Sequence, residues 1–83
     1  MIPVIMIILQ LAGFAPFILR IKVKTAVDQE VCVVIDGPEY HKDCWTSDKY
    51  TRIRDFTLYH AGTYQVFAMT KDYRTTESTV EVH

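Results

Sequence analysis

From Phe17 to Lys24 the chain alternates strictly. Leu19, Ile21 and Val23 fall on one face, and Arg20, Lys22 and Lys24 fall on the other. A period of two marks a half-buried strand, here with a basic outer row. Gln29 to Asp36 repeats the pattern, with Val31, Val33 and Ile35 on one face and Cys32 and Val34 on the other. Asp36-Gly37-Pro38 ends it as a turn. A short third strand is expected around Lys42 to Thr46, carrying Trp45, with a loop at Ser47-Asp48-Lys49. Tyr50 to Leu58 and Thr63 to Thr70 read as the fourth and fifth strands. Lys71-Asp72-Tyr73-Arg74 is a turn, and Thr75 to Val82 is the sixth strand, with Val80 and Val82 inward. No stretch carries a convincing helical period. Short strands with turns every ~8–12 residues predict an all-β sandwich or a small barrel.

The stretch Ile53 to Val66 organises the rest. Ile53, Phe56 and Leu58 supply apolar anchors, Ala61-Gly62 signals a turn, and Tyr64 and Val66 restart the alternation. That is strand, corner, strand. A Tyr just past such a corner buries its ring between two sheets while its hydroxyl bonds backbone upstream, the arrangement called a tyrosine corner.

These residues resemble an immunoglobulin domain of the intermediate set. Val31-Cys32-Val33-Val34-Ile35-Asp36-Gly37-Pro38 resembles the family's second strand and its Gly-Pro exit. Trp45 falls twelve residues after Val33, where the family's core Trp is expected. Ile53 to Val66 resembles the run from the fifth strand into the sixth, including Ala-Gly-Thr-Tyr, and Thr76 to Val82 resembles the closing strand. The resemblance spans Phe17 to His83. It implies an immunoglobulin-like sandwich of about six to seven short antiparallel strands. The core would be built on Trp45, Tyr64, Val33, Val66, Ile53 and Leu58.

The sequence departs from the family at three points. The bridging cysteines would fall at Val33 and Val66, so the inter-sheet disulfide is absent. Only seven residues separate Trp45 from Ile53, so the region after the third strand is reduced, with an exposed sheet edge near Trp45 to Tyr50. His60 stands where the family has Asp, which removes an Asp-mediated salt bridge. The family's topology also sets the first strand beside the last, with Arg20, Lys22 and Lys24 facing Glu77 and Glu81.

Cys32 and Cys44 admit two readings. A hairpin centred on Pro38 sets them opposite each other, where a bridge is feasible. The immunoglobulin topology puts their strands in different sheets and leaves both thiols free. Free thiols are the preferred expectation. On this reading Trp45→Ala costs ~3–5 kcal/mol and Cys32→Ser far less.

Residues 1–16 form an apolar segment ahead of the domain at 17–83. Between Met1 and Leu19 the only polar side chain is Gln10. Three readings stand. One is a secretory signal, with Ile2 to Ala12 as apolar core and Ala12-Gly13-Phe14-Ala15 as cleavage region, though no Lys or Arg precedes it. Another is a membrane anchor within residues 1–19, short for a bilayer and interrupted at Pro16. The third is an arm packed on the domain or a partner, which suits the β-branched Ile2, Val4, Ile5, Ile7 and Ile8. The first would make the protein secreted or membrane-associated. Otherwise it is intracellular or part of a larger assembly.

The chain has 83 residues, enough for one domain. A domain this small buries only about 60% of its unfolded surface. A formal net charge of −1 argues against nucleic acid as a partner. The two cysteines are too few for a self-contained zinc site. In His41-Lys42-Asp43-Cys44, a His and a Cys lack two further ligands, even with Asp55 and His60 as remote candidates. There is no nucleophile elbow and no glycine-rich phosphate loop. The expectation is a non-catalytic protein-binding or structural module with no cofactor. The exposed edge near Trp45 to Tyr50, by strand addition, and the apolar arm are the expected contact surfaces. Tyr40, Tyr50, Tyr59 and Tyr73 are candidate contact residues, because Tyr offers broad contact at low entropy cost. Ordinary sheet-surface Tyr is the competing reading. A small secreted or membrane-tethered surface protein is the alternative function.

Overall fold

A computed structural model describes residues 4–25, 28–47 and 51–83. Its elements are β1 (Val4–Ile8), β2 (Ala12–Gly13), β3 (Phe17–Thr25), β4 (Gln29–Asp36), β5 (Tyr40–Ser47), β6 (Arg52–Leu58), β7 (Gly62–Met69) and β8 (Ser78–Val82). They form an all-β sandwich of two sheets. One has the order β1-β3-β6 and the other the order β2-β8-β7-β4-β5. Every pairing is antiparallel except β2 with β8.

The count exceeds the six expected strands because the apolar segment supplies two. β1 pairs with β3, and the chain then crosses to the other sheet, where β2 runs parallel to β8. The Ala15 and His83 backbones close the crossing through a 2.8 Å hydrogen bond from the Ala15 N–H. No helix among the described residues is long and apolar enough to cross a membrane.

Period two decides the core. Leu19, Ile21, Val31, Val33, Ile35, Leu58, Tyr64, Val66, Ala68 and Val80 are fully buried between the sheets, and Val4 of the arm joins them. Burying one such aliphatic side chain contributes about 1.5–3 kcal/mol. The Thr25 and Ser47 hydroxyls, both buried, hydrogen-bond to each other and tie β3 to β5 across the layers.

Several expectations are corrected. Ile53 is 51% exposed. Phe56 and Leu58 turn inward, and a residue three before Phe56 has the opposite parity, so Ile53 faces out. Trp45 is half-buried because edge strand β5 shields it on one side only. The Arg54 guanidinium lies 4.6 Å from its ring centroid. Val33 and Val66 are buried, but their strands β4 and β7 are neighbours in one sheet, so they cannot mark the ends of a bridge between sheets.

The cysteines are not free. β4 and β5 form a hairpin that sets Cys32 directly opposite Cys44, and the two are disulfide-bonded. The bridge lies on the outer face of the five-stranded sheet. Beside it Val34 and Phe67 are also buried, with the Arg74 guanidinium 3.7 Å over the Phe67 ring. The basic row does not face Glu77 and Glu81, since β3 lies between β1 and β6. Arg20 instead makes a two-bond pair with Asp55, at 2.9 and 3.0 Å.

Candidate interaction surfaces

The β6–β7 corner gathers a network of hydrogen bonds. Tyr64 buries its ring and donates its hydroxyl to the His60 carbonyl at 2.6 Å. Gly62, with φ +145°, makes the corner close. A Cβ there would sit 2.4 Å from Pro38 Cγ. Glu39 arrives from the β4–β5 turn. One of its oxygens accepts the Tyr59 and His60 N–H groups at 2.8 and 2.9 Å, and the other meets His41 Nε2 at 2.7 Å. Burial pushes the Glu39 carboxyl up. The His41 contact and the His60 and Tyr59 amides outweigh that and hold it below its usual value. Burial, and then the nearby Glu39 charge, raise the Tyr64 phenol.

A carboxylate therefore occupies the corner although His60 supplies none. Sequence reasoning missed Glu39 because the acid belongs to another hairpin. No spacing rule links residue 39 to residue 60. The Glu39 carboxylate is committed to the Tyr59 and His60 amides and the His41 ring.

The outer face of the three-stranded sheet is different in character. Ile5, Ile7, Ile18 and Ile53 are 46%, 51%, 61% and 51% exposed. Pairing places Ile7, Lys22 and Ile53 in one row and Ile5 beside Lys24. Lys22, Lys24, Ile5 and Ile7 line a shallow groove with Thr51. Leu9, Gln10, Ile18 and Arg20 line a second. On this face Ile5 and Ile7 of β1 and Ile53 of β6 flank Lys22 and Lys24 of β3, while Asp55 pairs with Arg20, on a chain that is slightly acidic as a whole.

The structure does not gather the candidate tyrosines. Tyr40 and Tyr59 are 59% and 68% exposed, at the sandwich end that carries the corner. Tyr73 is 40% exposed in the β7–β8 loop at the opposite end. Tyr50 lies outside the described residues, as does part of the expected edge near Trp45 to Tyr50. A recess of ≈ 660 Å³ sits beside the disulfide, lined among others by Gln29, Glu30, Cys32, Lys42 and Met69. Its lining carries charges of both signs. Among the described residues, no three His, Cys, Asp or Glu side chains come together as metal ligands.

No protein-family model, curated protein or solved structure matches the chain.

Proposed function

We propose that the chain is a non-catalytic protein-interaction module built on an immunoglobulin-like sandwich. The strand orders support the resemblance once the assignment is moved by one strand. β3, β4, β6, β7 and β8 then stand as the family's second, third, fifth, sixth and seventh strands, with β5 added beside β4. Tyr64 at the start of β7, bonded back to His60, takes the corner position. On this assignment an inter-sheet bridge would join Val66 to an inward residue of β3. Leu19, Ile21 and Val23 stand there instead.

The observation that carries an interaction role is the outer face of β1-β3-β6. Ile5, Ile7, Leu9 and Ile18 leave an exposed aliphatic row on this face, and such patches mark interaction sites. The lysines beside the patch favour a partner with acidic groups at its rim. The arm contributes to this face through Ile5 and Ile7 while Val4, Met6 and Ile8 pack toward the core. That supports the packed-arm reading of residues 1–16.

The test is site-specific photo-cross-linking from Ile18 or Ile53 in the native extract. A discrete protein adduct from both positions is the expected result. Labelling by solvent and lipid alone at both positions would overturn the reading.

A further inference from the structure

We propose that β1 is a homotypic pairing edge, through which two copies of the chain join antiparallel strands about Met6. The proposal rests on the interaction-module reading and adds a second contact, at the strand edge beside the face already described.

A two-sheet sandwich has four outer strands, and three are protected. β5 carries His41, Lys42 and Asp43. β6 carries Arg52, Arg54 and Asp55. β2 is two residues long. Charge and brevity are the usual devices that stop an edge from pairing with strangers. β1 reads Val-Ile-Met-Ile-Ile and has neither.

The polarity of that edge follows from one bond. The Leu9 N–H donates to the Arg20 carbonyl at 3.4 Å, continuing the β1–β3 register. In an antiparallel ladder bonded pairs alternate. Ile5 and Ile7 therefore turn their peptide groups toward β3. Val4, Met6 and Ile8 turn theirs to the open side, where β1 has no strand neighbour among the described residues.

A strand added there must be apolar on both faces. Outward it lies beside Ile5 and Ile7, which are about half exposed. Inward it covers Met6 and Ile8, which are only half-buried at the sandwich margin. β1 itself meets this description. With the two-fold at Met6, Val4 pairs with Ile8 of the second copy and Met6 with Met6, each pair exchanging two backbone bonds. Ile5 then stands opposite Ile7. No like charges meet at the seam, because Lys22 and Lys24 lie one strand back in each copy. Docking face to face would oppose those lysines directly. A bilayer would cover the side chains but leave the Val4, Met6 and Ile8 peptide groups without partners.

The experiment is sedimentation velocity over a wide concentration range, with amide hydrogen exchange on the same samples. A reversible dimer is expected, with exchange at Met6 and Ile8 slowing as it fills. Ile7→Lys, at an exposed position, should weaken the dimer about tenfold or more, since the two-fold repeats each lost contact. Ile5→Lys serves if that variant folds poorly. Ile53→Lys, on the same face but at the far edge, should leave the association unchanged. A monomer at every concentration would overturn the proposal, as would equal weakening by Ile53→Lys. Protection of Met6 and Ile8 that appears only with anionic vesicles would overturn it in favour of lipid. None of these outcomes removes the face adducts at Ile18 and Ile53, so failure of homotypic pairing is distinguishable from failure of the wider reading.

Discussion

Tyr64 reaches back four residues to bond the His60 carbonyl, and its hydroxyl also lies 3.4 Å from Glu39. The phenol thus ties the start of β7 to the end of β6 and to the β4–β5 turn. Removing only the hydroxyl in Tyr64→Phe leaves the His60 carbonyl without its bond and should cost about 1 kcal/mol. Tyr64→Ala adds a cavity between the sheets and should cost about 3–5 kcal/mol. Urea denaturation of both variants measures the difference, and equal losses would show that the ring alone matters.

Glu39 gives the corner a pH dependence whose sign is fixed. Its folded-state pKa lies below the ordinary value of 4.5. The unfolded state therefore takes up the proton first as pH falls. The stabilisation is fully present above 4.5 and is lost as pH drops from there through the lowered folded value. Asp55, held low by its hydrogen bond from Arg20, adds in the same direction at the surface. Melting temperature followed from neutral to acid pH should decline in this window. Glu39→Gln should be less stable at neutral pH and show a shallower decline.

The structure reverses the order of damage expected for Trp45 and Cys32. Trp45 is half-buried under Arg54, so Trp45→Ala should cost about 1–2 kcal/mol, well short of a full core truncation. The disulfide closes a loop with a sequence separation of 12. Cys32→Ser should therefore cost about 2–3 kcal/mol through the freed unfolded chain. Denaturation midpoints of both variants, with reduced wild type as the control, decide the order.

Gly62 should tolerate no side chain. Its φ of +145° suits glycine alone, and an added Cβ meets Pro38 Cγ. Gly62→Ala should cost about 1–3 kcal/mol for the backbone alone, with the clash added. Combining it with Pro38→Ala should recover the steric part and leave the conformational part. A double-mutant cycle separates the two, and strict additivity would show that the prolyl contact costs nothing.

Most of the strands were legible from residues alone, because a half-buried strand writes its own period into the chain. Phe17 to Lys24 and Gln29 to Asp36 each show which side chains turn inward without reference to any other segment. The turn at Ala61-Gly62 and the phenol after it are equally local. What alternation cannot state is which strands lie side by side. β3 shows the same face whether its neighbours are β1 and β6 or the last strand, so the partner of Arg20 could not be read from the pattern. The disulfide, the half-exposed setting of Trp45 and the carboxylate at the corner all depend on sheet order. That order is set by how the whole apolar surface closes into two layers. The arm shows the same division. Its β-branched residues announced a strand, but only the completed sandwich left that strand at an edge with one side open.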